Sequence, residues 1–267
     1  MKFYDVKNNR LVYVSSKAND EYWDSHWDSE KNFKQAIQRK FDPFVVGNTK
    51  KYLKKGDKIL EGGCGIGQNV YLLEHHGFDT VGVDYAQNTV DKINAYAPEL
   101  DVIHGDVRSL PFENDFFDGY WSFGVIEHFY NGYDEIMNEM YRVLKPNGVL
   151  LMTVPTMSPL RKLKAKLRKY PLWGSKPLDI ENFYQFALDS NSIVKHYERN
   201  GFKLLESRSC SGFKGLKDEV NMIKGPMQYI FDSPSILNRI IKTIIGKIFE
   251  KFSGHMTLFI FKKVVCE

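Results

Sequence analysis

From residue 55 onward, short apolar runs alternate with longer amphipathic segments along the chain. This alternation is typical of a parallel sheet built from βαβ units. It predicts strands at Lys58–Glu61, Thr80–Val83, Leu100–His104, Phe117–Phe123, Gly148–Val154, Phe202–Ser207 and Met256–Lys263. The helices predicted between them are Gln68–His76, Ala86–Ala97, Tyr133–Leu144 and Ile193–Asn200.

The same pattern divides the chain into two parts. Residues 1–55 precede it and are predicted to form an N-terminal lid or helical segment, whereas residues 56–267 form a Rossmann-like α/β domain with helices on both faces of the sheet. Two stretches, near 156–190 and 208–254, interrupt the second half and predict inserted helices. We expect these insertions to lie beside the ligand site.

A glycine-rich turn follows the first predicted strand and its terminal acid, Glu61. Its glycines are Gly62, Gly63, Gly65 and Gly67. Glycine lets backbone N–H groups approach a ligand, and the N-terminus of the next helix faces the same space. Neither the dinucleotide fingerprint nor a P-loop fits the spacing. The turn therefore predicts a nucleotide-type site whose acidic strand end suits a cationic ligand.

Two further carboxylates follow the next two strands. Asp84 ends the second strand, about 20 residues past the turn, where ribose hydroxyls bind in open α/β sheets. Asp106 follows the third strand, where its side chain and the Val107 N–H can meet a purine edge. The alternatives are a helix N-cap for Asp84 and a closed turn for Asp106. Together the acids indicate an adenosine with a cationic tail.

With these motifs, the sequence resembles the class I S-adenosylmethionine-dependent methyltransferases over roughly residues 55–155. The motifs are Glu61–Gly67, Val83-Asp84, Gly105-Asp106-Val107, Phe117-Asp118 and Leu144–Gly148. The resemblance implies a seven-stranded sheet of order 3-2-1-4-5-7-6 whose last strand is antiparallel. It also implies S-adenosylmethionine as the cofactor, S-adenosylhomocysteine as the product, and no metal.

The resemblance assigns roles to the residues of these motifs. It implies Glu61 near the methionine portion, the glycine turn against the tail and ribose, Asp84 on the ribose hydroxyls, Tyr85 against the adenine face, and Asp106 with Val107 at the adenine edge. Ser122 and Phe123, at the end of the fourth strand, should line the space where cofactor and acceptor meet. Glu61 departs from the family pattern, in which Asp is commoner, and this leaves the water network at the methionine amine open.

His128 is the candidate general base. An imidazole titrates near neutral pH, and Glu127 or another acid is positioned to hold its tautomer. The alternative is a structural role for this Glu-His pair. Tyr184 and Gln185 are candidates for contacts with acceptor hydroxyls.

Trp23 and Trp27 are further candidates for contact with the acceptor, and they lie four residues apart on one face of a predicted helix. In enzymes similar to this one, an N-terminal helix covers the cofactor, and the aromatic face fits such a lid. The alternative is that both tryptophans pack into the core.

Two segments combine apolar stripes with basic residues: Met157–Lys176 and Ser235–Phe252. Basic amphipathic helices suit an anionic lipid surface or a lipid-linked acceptor. The alternatives are packing on the sheet or on each other, or a homodimer interface. RNA binding is disfavoured because aromatic residues are scarce between the basic ones.

The cysteine spacing and the length of the apolar runs limit where in the cell the protein is expected. The three cysteines, Cys64, Cys210 and Cys266, lack the paired spacing of a zinc site or a disulfide framework, and no apolar run approaches the ~18 residues that span a bilayer. We expect a cytoplasmic protein, with peripheral contact at the inner membrane face as an option. The predicted function is methyl transfer to a small-molecule, sugar, glycan or lipid-linked acceptor, at oxygen. The alternative is a non-catalytic S-adenosylmethionine-binding protein with a regulatory or membrane-associated role.

Overall fold

The chain forms two β-sheets in the computed structural model, which describes residues 1–15, 20–27, 40–174 and 180–264. The small sheet contains β1 (Lys2–Asp5), β2 (Arg10–Val14) and β8 (Phe183–Ala187). The main sheet contains β3 (Lys58–Gly62), β4 (Asp79–Asp84), β5 (Asp101–His104), β6 (Phe117–Phe123), β7 (Leu144–Pro155), β9 (Phe202–Cys210) and β10 (Met256–Lys263).

The order of the main sheet is β5-β4-β3-β6-β7-β10-β9, and β10 runs antiparallel to both of its neighbours. This is the order 3-2-1-4-5-7-6 expected from the resemblance, so that prediction is confirmed. The strand β7 starts at Leu144, four residues before the predicted Gly148, because Leu144 already pairs with Phe117 of β6. The carboxyl ends of β3, β4, β5 and β6 meet at one edge.

The helices described are α1 (Asp20–Trp27), α2 (Pro43–Tyr52), α3 (Gln68–His75), α4 (Gln87–Tyr96), α5 (Asp134–Val143), α6 (Pro159–Lys166), α7 (Ser190–Arg199), α8 (Gly212–Glu219), α9 (Lys224–Asp232) and α10 (Ile236–Ser253). Alternate residues of the central strands bury opposite faces of the main sheet. Leu60 and Tyr120 belong to one apolar cluster, and Ile59 and Trp121 to another. The four predicted helices before β10 are present, with ends that differ by a few residues.

The prediction of a helical N-terminal segment is wrong for residues 2–14. These residues form the hairpin of β1 and β2, and β2 pairs antiparallel with β8, for example Val12 with Phe186. The segment around Tyr184 and Gln185 is therefore a strand of the small sheet. Its pairing joins residues 169 to 176 positions apart in the sequence, a contact that no local pattern specifies.

One buried acid, Glu219, joins both insertions to the N-terminal hairpin. The buried carboxylate of Glu219, at the end of α8, accepts from Lys2 Nζ at 2.8 Å, Arg161 Nε at 3.2 Å, Lys164 Nζ at 2.7 Å and Tyr170 Oη at 2.6 Å. Arg161 is fully buried, so part of the basic cluster of residues 161–169 is not free surface charge, whereas Lys166, Arg168 and Lys169 are exposed. Within the described residues, no helix is both long and apolar enough to cross a membrane.

The helix α8 packs closely against the end of α10. A Cβ at Gly215 would overlap the carbonyl oxygen of Ser253. We expect Gly215→Ala to lower the free energy of unfolding by about 2 kcal/mol, because backbone must move to admit the methyl group. Gly47→Ala in α2 is the matched control: nothing lies within 4 Å of its Cβ position, and the change should stabilise by ~0.5 kcal/mol. Urea unfolding followed by circular dichroism measures both, and equal effects would contradict the close packing.

Candidate functional site: a cavity at the carboxyl edge of the sheet

A cavity of about 1170 Å³ opens at the edge where β3 to β6 end. Its inner wall consists of the glycine turn and the ends of the strands, and its outer wall is aromatic and acidic. The inner residues include Gly63, Gly65, Asp84, Tyr85, Asp106, Val107 and Phe123, and the outer residues include Trp23, His128, Tyr130, Asp134, Glu135, Glu181 and Phe183. Residues distant in sequence thus share one space large enough for a nucleoside with a second small molecule.

The glycine turn presents its backbone to this cavity. Gly63 has a φ of 75°, and a Cβ there would lie 2.6 Å from Val125 Cγ2. Any larger residue would be strained by conformation and by contact. Gly67 precedes the start of α3, whose N-terminus therefore points at the turn. Gly62 and Gly67 belong to the same turn but do not line the cavity.

Asp84 anchors the turn. Its Oδ2 accepts from the Gly65 N–H at 2.7 Å and its Oδ1 accepts from the Ala86 N–H at 3.0 Å. Burial raises the pKa of Asp84, and these two hydrogen bonds partly offset that effect. Asp84 is not the N-cap of α4. The first turn of that helix donates instead to Asp24 of α1, which accepts from Thr89 N–H at 3.1 Å and from Thr89 Oγ1 at 3.0 Å.

Asp106 is held by a neighbour that the sequence did not single out. Arg108 donates to both carboxylate oxygens of Asp106, at distances of 2.6 to 3.0 Å, and the Arg108 N–H also bonds Oδ1. The hydrogen bonds from Arg108 lower the pKa of Asp106. Asp106 therefore closes a local turn, as one alternative predicted, and it still lines the cavity beside Val107 and the exposed ring of Tyr85.

Glu61 lies beneath the turn and does not line the cavity. Its Oε1 accepts from Asn69 Nδ2 at 2.8 Å, whereas its Oε2 has no hydrogen-bond partner among the described residues. Burial raises its pKa to about 8, and the hydrogen bond from Asn69 opposes the shift. A buried carboxyl with an unsatisfied oxygen is costly, and such groups cluster at functional sites.

His128 occupies the outer wall, next to the lid helix. Its Nδ1 lies 2.7 Å from the Tyr184 carbonyl oxygen. A carbonyl only accepts, so Nδ1 carries the proton and Nε2 is the acceptor. Burial lowers the pKa of His128 to about 4, and the bond to Tyr184 opposes this. The ring is therefore neutral at pH 7, edge-on to Trp23 and Tyr184, each with its centroid 5.1 Å away.

Glu127 does not hold the tautomer of His128, contrary to the expectation from sequence, because the Tyr184 carbonyl occupies Nδ1. Its carboxyl is turned toward Gly124 and is buried, and Oε2 has no partner among the described residues. Burial raises its pKa to about 8. The tautomer is thus fixed by a strand of the small sheet, which sequence patterns near His128 do not reveal.

The raised pKa of Glu127 makes stability fall with rising pH. Its ordinary pKa is 4.5 and the folded value is about 8, so between these values the unfolded chain releases a proton that the folded protein keeps. We therefore compare the free energy of unfolding of Glu127→Gln with that of the wild type at each pH. The difference, variant minus wild type, should be ~2–4 kcal/mol larger at high pH than at low pH. Urea unfolding at the two ends of this window measures the gain, with the exposed Glu113→Gln as the control. Equal pH dependence in both variants would contradict the assignment.

The remaining candidate site residues differ in whether they line the cavity. Phe123 lines the cavity and stacks on Trp121 at 4.4 Å between ring centroids, whereas Ser122 is buried in β6. Gln185 is buried in the small sheet, opposite Tyr13, so the structure does not bring it to the cavity. Trp27 ends α1, but its side chain lies outside the described residues.

Comparison with known proteins matches residues 60–152 to a family described as a methyltransferase domain. The chain is 36% identical over 109 residues to a probable S-adenosylmethionine-dependent methyltransferase of Mycolicibacterium smegmatis, covering 40% of this chain and 42% of that protein. It is 35% identical over 164 residues to a sarcosine/dimethylglycine N-methyltransferase of Aphanothece halophytica, covering 54% and 58%. The chain thus spans about half the length of these curated relatives.

Among solved structures, the chain is similar to phosphoethanolamine N-methyltransferase 2 of Haemonchus contortus in complex with S-adenosyl-L-methionine. The TM-score is 0.56 at 20% identity, covering 95% of this chain and 61% of that one. At this identity the similarity shows the fold alone.

Proposed function

We propose that the chain is a class I S-adenosylmethionine-dependent methyltransferase, as the family match over residues 60–152 and the relatives support, and that it transfers a methyl group to a hydroxyl of a small-molecule, sugar, glycan or lipid-linked acceptor. The observation that supports this proposal best is the neutral His128 on the wall of the cavity, with its proton on Nδ1 and its acceptor nitrogen Nε2 bonded to none of the residues that the structure describes.

The inner wall fits the cofactor. The Asp84 carboxylate suits the ribose hydroxyls, the Gly63 and Gly65 backbone suits the tail, and Tyr85 suits the adenine face. The unsatisfied Glu61 Oε2 beneath the turn suits the cationic end, through the turn or through water. We assign Val107, beside Asp106, to the adenine edge.

S-adenosylmethionine, when bound, supplies a methyl group on a positively charged sulfur. The residues of this chain contribute position and a proton acceptor. A hydroxyl that gains a methyl group must release its proton, and we assign Nε2 of the neutral His128 to accept it. Trp23 and Tyr184 fix the ring by edge-on contact. The same contacts limit the entry of water from the lid side.

An amine is the second candidate acceptor, favoured by the acidic outer wall. Asp134, Glu135 and Glu181 line it together with the rings of Tyr130 and Phe183, and carboxylates and aromatic faces both attract cations. The sarcosine/dimethylglycine N-methyltransferase among the relatives supports the same choice.

Formation of S-adenosylhomocysteine by the purified full-length protein tests the proposal. The acceptor panel should contain free sugars, glycan fragments, lipid-linked sugars and secondary amines. Turnover with a hydroxyl acceptor supports oxygen, and turnover with amines alone supports the second candidate. Cofactor binding without turnover on any fraction of a cell extract would contradict both and favour a non-catalytic binding protein.

His128→Ala is expected to lower kcat ~100-fold while leaving the affinity for S-adenosylhomocysteine unchanged, because the general base is lost but the inner wall is not. Because the pKa of His128 is about 4, the ring stays unprotonated between neutral and mildly acidic pH. Protonation of His128 should therefore not lower the wild-type rate in this range. His75→Ala, on the exposed end of α3, is the control. A pH profile with a midpoint near the ordinary histidine value, absent from His128→Ala, would contradict the buried neutral ring.

A further inference from the structure

The outward face of α10 is apolar. Residues at four-residue spacing form a row along it and remain 41–75% exposed: Ile236, Ile240, Ile244, Ile248 and Phe252. Leu237 beside them is 65% exposed. None of the described residues covers this row, although the opposite face of α10 packs on α8 and α9. Solvent-exposed rows of this kind mark interaction sites.

Cations accompany the row. Arg239, Lys247 and Lys251 are exposed along α10 and form no ion pair with any described residue. In the helix α6, three of the four cations are paired, Arg161 and Lys164 with Glu219 and Lys162 with Asp189, and Lys166 is exposed. Both basic amphipathic segments keep apolar and basic residues at the surface, but the exposed apolar row is longer on α10: it has five members, whereas Leu163 and Leu167 are the exposed leucines of and next to α6.

This combination favours a lipid surface over a second copy of the chain. A copy packed on the row would bring more cations close to those already present, whereas an anionic leaflet supplies phosphates to them and hydrocarbon to the isoleucines. The 18-residue helix is about 27 Å long, enough to lie along a bilayer surface. Since no described helix is able to cross a membrane, the contact would be peripheral.

We propose that α10 lies in the headgroup region of an anionic bilayer, with the row from Ile236 to Phe252 inserted and Arg239, Lys247 and Lys251 on lipid phosphates. This inference is independent of the acceptor, because it concerns a surface outside the cavity. It gives the protein a route to lipid-linked acceptors if these are its substrates.

Cosedimentation of the full-length protein with phosphatidylglycerol vesicles tests the proposal, with phosphatidylcholine vesicles as the uncharged comparison. Ile240→Ser combined with Ile244→Ser and Ile248→Ser should lower the partition coefficient ~100-fold. Arg239→Gln combined with Lys247→Gln and Lys251→Gln should lower it ~10-fold or more on phosphatidylglycerol only. Val6→Ser with Leu205→Ser, exposed apolar residues elsewhere, and Lys54→Gln with Lys203→Gln are the matched controls and should bind as the wild type does.

Binding of S-adenosylhomocysteine by each variant confirms folding by a readout that does not involve the membrane. Equal loss in the control variants, or no binding of the wild type to phosphatidylglycerol, would overturn the proposal. A concentration-dependent dimer would also overturn the proposal if analytical ultracentrifugation detects it in the wild type and not in the serine variant. In that case a second copy of the chain would cover the row. A failed methylation assay with intact vesicle binding would refute the proposed function alone.

Discussion

Replacing Asp84 with alanine is expected to weaken the binding of S-adenosylhomocysteine ~1000-fold, the largest loss predicted for any residue of the cavity. The carboxylate has two roles. It accepts hydrogen bonds from the Gly65 and Ala86 N–H groups and so holds the turn. We also assign it to both ribose hydroxyls. Isothermal titration calorimetry with the purified protein measures the affinity.

The stability of the same variant separates this role from a structural one. Burial raises the pKa of Asp84, so the charge is costly in the folded protein, and its removal should offset the two lost hydrogen bonds to within about 1 kcal/mol. Asp101→Ala, exposed at the opposite end of β5, is the control and should bind normally. A folded Asp84→Ala protein with less than a tenfold loss of affinity would refute the ribose assignment.

Glu219→Ala is expected to lower the free energy of unfolding by ~3–5 kcal/mol, because it leaves the buried Arg161 without its carboxylate. Lys2, Lys164 and Tyr170 lose the same partner. The N-terminal hairpin, α6 and α8 should therefore loosen together. Urea unfolding monitored by circular dichroism gives the change in free energy.

Glu206→Ala is the control, because Glu206 pairs with Lys51 at the surface and such pairs contribute at most about 1 kcal/mol. The pH dependence gives a second test. Burial would raise the pKa of Glu219, but Lys2 and Arg161 lower it to about 2, so its stabilisation is present above its ordinary pKa and is lost as the pH falls toward 2. Glu219→Ala should lose this acid sensitivity, and equal acid sensitivity in both proteins would contradict the network.

The inner wall of the cavity follows from local sequence, and the outer wall does not. The strand Lys58–Gly62, the glycine turn and the acids after β4 and β5 are consecutive βα units, so their order alone brings them to one edge. The outer wall combines α1, the turn at His128 and β8, which meet only by long-range contact.

Charge was the least predictable property. The acid-free stretch 161–169 indicates a free basic surface, but its most buried member, Arg161, pairs with Glu219, 58 residues further along the chain. The apolar stripe of Ser235–Phe252 has the opposite outcome: such stripes usually pack inward, but the structure leaves its row from Ile236 to Phe252 exposed, and Ile241 and Ile245 are partly buried.

The sequence by itself predicted the strands of the main sheet and the edge at which the glycine turn and the acids meet, because hydrophobic periodicity and the glycine and acid spacings are local and act within neighbouring units. The order of the strands came from the resemblance to class I methyltransferases, and the structure confirms it. Only the tertiary structure decided the small sheet, the proton position on His128, the pairing of Arg161 and the exposure of α10. Each of these depends on which distant segments pack together, and burial and pairing are properties of that packing and not of the residue.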